Sequence, residues 1–246
     1  MISLFCGVII GIVMGLTGAG GALVAIPLFM HFFAMELKEA SVYSLIAVVV
    51  ASLLNYFSQR SSTQYKTAII IVIASAIGSY LTAPFKEVLP TIFVAGILTS
   101  ISLYALYSVW KPTKAPVSGL ILPPKESAPL SVIVGFILGT LTTFTGLGGG
   151  VLMLPIFLVF YHHSQSQAVA TSLFAVGLSS LASLVVQVSL GASFSIDSGL
   201  GYLIIGILAS VFILKKFVNT LPATFISRTR QIVFTFVVIL AVSKIF

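Results

Sequence analysis

Two glycine clusters, each followed by a proline, have the residue types best suited to hold an anion. They lie in LTGAGGALVAIP at 16–27 and in FTGLGGGVLMLP at 144–155, and the second copy follows the first by 128 residues. Glycine interrupts a helix, and the helix that restarts presents free N–H groups and a partial positive charge. We therefore predict an anion site between two broken helices, with threonine hydroxyls as further donors. The predicted binding residues in the clusters are Thr17, Gly18, Gly20, Gly21, Thr145, Gly146, Gly148 and Gly149.

Helix packing is the alternative explanation for glycine in such a sequence. Small residues let transmembrane helices approach closely, and Gly11 and Gly15 are typical of a packing face. The two clusters are longer than packing needs, and a proline follows both at the same distance. This combination favours binding for the clusters.

A stripe of polar residues follows each cluster. Ser44, Ser52 and Gln59 are spaced by eight and seven residues, which places them within an arc of roughly 80° on one helix face. Polar residues inside a membrane face the bundle interior or a wet cavity, although hydrogen bonding between helices is a second explanation. The residues added to the predicted anion site are Tyr43, Ser44, Thr171 and Ser172, and the predicted secondary stripe is Ser52, Gln59, Ser180 and Gln187.

The composition is that of a helical membrane protein. Of the 246 residues, 59% are hydrophobic and 7% are charged, whereas soluble domains carry about 25% charged residues. Charge-free stretches at 1–35, 67–85 and 130–161 can each cross a ~30 Å hydrocarbon layer, which needs about 20 helical residues. These stretches are continuous rather than alternating, which excludes a transmembrane barrel. The fold class predicted is an all-α polytopic integral membrane protein.

A proline-rich linker divides the chain into two similar halves. Residues 111–129 hold five prolines and three lysines, a composition that does not continue a helix. We predict a first transmembrane repeat at 1–110 and a second at 130–246. In the later part of each half the shift between matching residues grows from 128 to 132, and we expect the four extra residues in the loop at 189–201.

The basic residues favour inverted repeats. If each opening segment turns back at its glycines, three further helices follow in each half, and the second half is upside down. One side of the membrane then holds nine of the 12 Lys and Arg residues and the other holds three, as the positive-inside bias requires. If the opening segments instead cross the membrane once, six of the Lys and Arg residues lie on each side. The further helices are predicted at 40–58, 67–84, 91–109, 166–187, 200–214 and 230–245.

At its glycine motifs the sequence resembles the TauE/SafE family of sulfite exporters, also called the toluene-sulfonate uptake permease family. The resemblance lies in GLTGAGGALVAIPLF at 15–29, AVATSL at 168–173 and GTLTTFTGLGGGVLMLPIF at 139–157, and it extends over nearly the whole chain. It implies a carrier of sulfite, sulfonates, sulfoacetate or similar small anions, often directed outward. The first half departs from the second at Ala22, which matches Gly150, and at Tyr43, which matches Thr171.

The functional expectation is a transporter of small organosulfur or sulfur oxyanions in the inner or plasma membrane. An anion channel and a carrier of small organic carboxylates are the alternatives. We expect no enzyme, because the five acidic residues fall in or near loops and no nucleophile–base or metal-ligand group stands out. We expect no cofactor and no nucleic-acid partner. The expected partners are the anionic substrate, the lipid bilayer and a second copy of the chain in a homodimer.

Overall fold

The computed structural model describes residues 2–17, 21–86, 88–110, 127–192 and 198–217, together with Gln231, Thr235 and Ile239. Within these residues the regular structure is helical, with short 3₁₀ turns at Arg60–Ser62 and Ala83–Lys86. The helices are α1 (Ile2–Thr17), α2 (Gly21–Phe32), α3 (Leu37–Gln59), α4 (Tyr65–Thr82), α5 (Thr91–Trp110), α6 (Ala128–Thr145), α7 (Gly150–Val159), α8 (Gln165–Ser189) and α9 (Ser198–Phe217).

Length and composition confirm an all-α polytopic membrane protein. Four segments of the described chain are long and apolar enough to cross a membrane, and they are Leu37–Phe57, Tyr65–Lys86, Ala128–Thr145 and Gln165–Ser189. On α4, Ile69, Ile73 and Ile77 are 47%, 57% and 52% exposed. Their spacing of four residues places them on one helix face. An exposed row of isoleucines is the face that a lipid bilayer covers.

Local caps explain where the helices begin. The Ser164 hydroxyl accepts a hydrogen bond from the Gln167 amide, and the Gln167 side chain accepts one from the Ser164 amide, so α8 starts with a capping box. The Ser127 hydroxyl caps α6 with a single bond, which it accepts from the Leu130 amide. Pro129 therefore lies in the first turn of α6, where a proline is tolerated, so α6 begins within the predicted linker. The predicted helix at 230–245 and most of the linker lie outside the described residues.

The long helices α3 and α8 pack together and run antiparallel. The Ser62 hydroxyl, just after α3, lies 3.1 Å from that of Ser166 at the start of α8. Farther along, the ring of Tyr56 in α3 packs at a tilt against that of Phe174 in α8, with ring centroids 5.1 Å apart. Helices α3 and α8 match in the two predicted halves and run in opposite directions; that the halves are inverted repeats stays a prediction.

Glycines bring the outer helices into backbone contact. On α6, a Cβ at Gly139 would meet the backbone of Ser75, and one at Gly135 would meet that of Ile71. Close approach of this kind is typical of small-residue motifs in membrane helices. The corresponding contacts between α1 and α9 are those of Gly7 with Leu203 and of Gly11 with Ile207. The contacting residues of the two pairs are related by the shifts of 128 and 132 seen in the sequence; the division into two repeats stays a prediction.

The second opening segment turns back on itself. The Ser131 hydroxyl near the start of α6 lies 2.8 Å from the hydroxyl of Tyr161, just after α7. The chain therefore returns to the end of the bundle from which α6 started. With 10 residues, α7 is about 15 Å long, which is half of the hydrocarbon layer. Its N-terminus consequently lies deep within the bundle.

Candidate functional site

The break between α6 and α7 is made by glycines in the left-handed region. Gly146, Gly148 and Gly149 have φ values of 72°, 64° and 66°, which a residue with a Cβ rarely adopts. The amide of Gly146 still bonds to the carbonyl of Thr142 at 2.8 Å and closes α6. Within the part of the chain that the structure describes, the amides of Gly148, Gly149 and Gly150 make no hydrogen bond. They are the free donors at the N-terminus of α7.

The break is buried against the start of α3. The Ser44 hydroxyl donates to the carbonyl oxygen of Gly146 at 2.7 Å and to that of Ser41 at 2.8 Å. A Cβ at Gly146 would lie 2.6 Å from the Cβ of Ser41, so the two backbones touch at this point. The structure thus brings Ser44 to the second glycine cluster.

Two buried hydroxyls beside the break have no hydrogen-bond partner among the described residues. They belong to Ser180 of α8 and Thr142 of α6, which are 0% and 1% exposed. The Ser180 hydroxyl would lie 2.5 Å from a Cβ at Gly148, and the Thr142 hydroxyl 3.5 Å from one at Gly149. An unsatisfied buried polar group costs about 1–3 kcal/mol. Amide and hydroxyl donors without a partner among the described residues thus lie together at this break.

The other threonines of the prediction are engaged elsewhere. Thr145 donates to the carbonyl of Leu141 at 2.6 Å and accepts from the amide of Leu147 at 3.3 Å, so it stabilises the end of α6. Thr171 accepts a hydrogen bond from the amide of Gln64 at 3.0 Å and thereby holds the start of α4. These bonds assign structural roles to both hydroxyls.

Tyr43 and Ser172 are not brought to the second break. Tyr43 is buried and its ring packs edge-on against Phe29 of α2, with centroids 6.2 Å apart. Ser172 bonds to the carbonyl of Val169 within α8 at 2.9 Å. Because α3 and α8 run antiparallel, Ser172 lies at the opposite end of the pair from Ser44.

The first cluster can be followed only in part. The described part of this segment consists of α1, up to Thr17, and α2, from Gly21. Gly18 and Gly20 lie outside the described residues. Their participation in an anion site stays a prediction.

The four residues of the secondary stripe lie apart from one another. Ser180 belongs to the break, whereas Ser52 bonds to the carbonyl of Val48 in its own helix at 2.5 Å. Gln187 is 3% exposed near the end of α8, and Gln59 is half-buried at the other end of the α3–α8 pair. Equal spacing in the sequence therefore does not bring the two glutamines together.

Sequence reasoning missed a buried lysine. In the sequence pattern Lys86 is counted among the charges of the loops. In the structure the 3₁₀ turn that follows α4 places its side chain inside the bundle, and Lys86 is only 8% exposed. Its ammonium donates to the Ser41 hydroxyl at 2.9 Å and to the Gln187 side-chain oxygen at 2.6 Å. The signal for Ser41 was present, because it stands three residues before Ser44 and shares its helix face. For Lys86 the only signal was its place at the end of a long apolar stretch.

A cavity of about 560 Å³ opens beside this lysine. Its charged and polar lining residues are Glu36, Lys38, Glu39, Lys86 and Gln187. Over the described ranges, no three His, Cys, Asp or Glu side chains come together as a metal site would require. The glycine break and the lysine-lined cavity meet at Ser41, whose backbone lies against Gly146 and whose hydroxyl accepts from Lys86.

Replacing Ser44 by alanine is expected to weaken the attachment of the break to α3. The change removes the bond to the carbonyl of Gly146, and we expect a loss of about 0.5–1 kcal/mol in unfolding free energy. Thermal unfolding of the purified protein in detergent measures it. Ser102→Ala is the control, since Ser102 is also buried but bonds within its own helix to Leu98. Equal losses in both variants would contradict the special role of Ser44.

Comparison with known proteins identifies the family of this chain. The sequence model described as "Sulfite exporter TauE/SafE" matches residues 3–243. The chain is also similar to the "Probable membrane transporter protein YunE" of Bacillus subtilis (strain 168), with 28% identity over 200 residues, which cover 71% of this chain and 73% of that protein. No solved structure matches the chain significantly. The chain therefore belongs to the sulfite exporter TauE/SafE family, a family of membrane transporters rather than enzymes, and it is a multi-pass membrane protein.

Proposed function

We propose that this protein exports small organosulfur anions or sulfur oxyanions across the inner or plasma membrane. Sulfite, sulfonates and sulfoacetate are the substrate class, and the anion is held at the break between α6 and α7. The observation that carries this proposal is the buried group of free donors there: the amides of Gly148–Gly150 and the hydroxyls of Ser180 and Thr142.

Electrostatics at the break favour a negative guest. The N-terminus of α7 carries a partial positive charge, equivalent to roughly half an elementary charge. Buried amides without partners are stabilised most by an acceptor that carries full charge.

The family and the relative support transport as the kind of activity. The family is described as sulfite exporters, and the Bacillus subtilis protein is described as a membrane transporter. That this chain itself transports sulfur oxyanions is our proposal. A carrier of small carboxylates and an anion channel are the competing outcomes, and a homodimer stays a proposal that the mass of the detergent-solubilised protein tests.

Flux through proteoliposomes tests the function. The full chain is reconstituted, and uptake of labelled sulfite is measured into vesicles preloaded with sulfite, sulfoacetate, taurine, thiosulfate or acetate. We expect saturable uptake that is accelerated by sulfite or sulfoacetate inside, as a carrier requires. If only acetate accelerated uptake, the substrates would be small carboxylates rather than sulfur oxyanions. Large single-channel currents would show that the protein is an anion channel and not a carrier. We expect flux to persist when proton and sodium gradients are collapsed, and loss of flux there would contradict a facilitated exporter.

A further inference from the structure

The donors at the break between α6 and α7 carry no full charge. They are the backbone amides of Gly148–Gly150 and the hydroxyls of Ser180 and Thr142, and none of them has a hydrogen-bond partner among the described residues. The two hydroxyls come from different helices, α8 and α6, and they are 0% and 1% exposed. They lie 2.5 Å from the Cβ position of Gly148 and 3.5 Å from that of Gly149, respectively. A ligand at the break therefore meets neutral dipoles from two sides.

The helices that form the break contain no ionisable side chain. Helices α6, α7 and α8 and the glycines between α6 and α7 lie within residues 128–159 and 165–189. Neither range contains an Asp, Glu, Lys, Arg, His, Cys or Tyr residue. Helix α3 meets the break with Ser41, Ser44 and Val48, which are neutral as well. The positive potential at the break is consequently that of the N-terminus of α7, equivalent to roughly half an elementary charge.

The lysine-lined cavity does not add a net charge. Lys86 is connected to the break through Ser41, whose hydroxyl accepts from the ammonium at 2.9 Å and whose backbone lies against Gly146. The charged residues that line the cavity are Lys38, Lys86, Glu36 and Glu39. The formal charges of these two lysines and two glutamates cancel. The cavity therefore supplies no net positive charge that would balance a second negative charge on a ligand.

A buried set of neutral donors discriminates between anions by their charge. The cost of removing an ion from water grows with the square of its charge, so a dianion costs roughly four times as much as a monoanion of the same size. The attraction to fixed dipoles grows only in proportion to the charge, and it therefore doubles. Hydroxyl groups add a second distinction, because they can accept a hydrogen bond from a protonated oxygen as well as donate to an anionic one. Both effects favour a ligand with one negative charge.

We propose that the break selects an oxyanion group with a single negative charge and that Thr142 and Ser180 are its specificity-determining residues. Sulfite then binds as hydrogen sulfite, whose O–H group donates to one of the two hydroxyls, and a sulfonate binds through its singly charged sulfonate group. The sulfite dianion and sulfate are rejected because of their second charge. This inference rests on the proposed function, since the ligand is the transported anion.

Methanesulfonate and sulfate test the selection by charge. Both are tetrahedral and similar in size, but methanesulfonate carries one negative charge and sulfate carries two. In the counterflow assay we expect a KM for methanesulfonate that is lower than that for sulfate by about tenfold or more. Equal KM values for the two anions would overturn the selection.

The pH dependence of sulfite flux is a second measurement of the same property. Hydrogen sulfite gives way to the dianion as the pH on both sides of the membrane is raised from slightly acidic to slightly alkaline. At constant total sulfite we therefore expect the flux of sulfite to fall. Methanesulfonate keeps its single charge over this range, so its flux is the control for titration of the protein. Sulfite flux that stays constant or rises relative to this control would contradict binding as hydrogen sulfite.

Thr142→Val tests whether the hydroxyls at the break hold the anion, because valine keeps the shape of threonine and removes the donor. We expect the affinity for methanesulfonate to fall by about tenfold, since a hydrogen bond to a charged group is lost, and Ser180→Ala should have a similar effect. Binding is measured by the thermal stabilisation of the detergent-purified full chain. Thr143→Val is the matched control, because Thr143 is also buried on α6 but donates to the carbonyl of Gly139 in its own helix at 3.0 Å. Folded Thr142→Val and Ser180→Ala proteins with wild-type affinity would overturn the role of both hydroxyls.

Binding and flux are measured separately so that the two proposals can fail separately. Binding of methanesulfonate that depends on Thr142 and excludes sulfate, without flux of any anion, would overturn the proposed function and leave the selection standing. Counterflow of sulfate that matches that of methanesulfonate would overturn the selection and leave the export of sulfur oxyanions standing. Absence of both binding and flux would overturn both.

Discussion

Gly148→Ala is expected to abolish anion counterflow and to destabilise the protein by more than 2 kcal/mol. Gly148 has a φ of 64°, at which a residue with a Cβ is strained by about 1–2 kcal/mol. The new methyl group would also lie 2.5 Å from the Ser180 hydroxyl and 2.9 Å from Val48, and overpacking adds about 1–3 kcal/mol. Relief of the clash moves the amides at the start of α7 away from the proposed anion. Thermal unfolding and counterflow of sulfite are the measurements.

Two control variants separate the backbone strain at a positive φ from the steric clash of the new methyl group at position 148. Gly191 has a φ of 94° with nothing within 4 Å of its Cβ position, so Gly191→Ala should show the backbone strain alone in the unfolding measurement. Gly201→Ala on α9 has neither a positive φ nor a neighbour and should leave stability and flux unchanged. Adding Ser180→Ala to Gly148→Ala should recover part of the stability, since it removes the closest atom. Wild-type flux in Gly148→Ala would place the anion away from this break.

Gly139→Val is expected to prevent α4 and α6 from packing. A Cβ at this position would fall on the backbone of Ser75, and backbone atoms cannot rotate away as a side chain can. The two helices would have to separate along their length, and we expect a loss of more than about 3 kcal/mol, beyond the usual range for overpacking. The monodisperse fraction after detergent extraction and its unfolding temperature report the effect.

Gly96→Val is the matched control for this substitution. Gly96 lies in α5 with nothing within 4 Å of its Cβ position, so it tests the effect of valine in an apolar helix without the contact. We expect a change of less than 1 kcal/mol there, as for most surface substitutions. If the two variants lost the same stability, close backbone contact between α4 and α6 would not be what holds them together.

Elements whose ends are marked by local chemistry could be predicted from the sequence. The two long helices that carry the polar stripes were expected at 40–58 and 166–187. In the structure they extend over Leu37–Gln59 and Gln165–Ser189. Long apolar stretches and side-chain caps are local signals. The linker was predicted to end at Pro129, whereas Pro129 already belongs to α6, because proline occurs both in loops and in the first turn of a helix. The family also followed from a local motif, the doubled glycine cluster.

Contacts between distant elements could be predicted only where a repeat related them. The approach of Ser44 to Gly146 followed from placing helix starts near a broken segment. The role of Thr171 did not, because nothing in its neighbourhood shows that it accepts from Gln64. Lys86 was missed for the same reason: a single 3₁₀ turn decides whether a charge at the end of an apolar helix points to water or into the bundle. The sequence around residue 86 is compatible with both.

The hydrogen bond between Ser131 and Tyr161 has a consequence for sidedness. Since the broken segment starts and ends together, Ser127 and Ser164 face the same aqueous compartment, and the contact between Ser166 and Ser62 adds the end of α3 to it. Arg60 and Lys66 flank that loop, and from the positive-inside bias we propose that this compartment is the cytoplasm. The lysine-lined cavity lies at the opposite end of α3, so on this proposal its mouth faces the exterior.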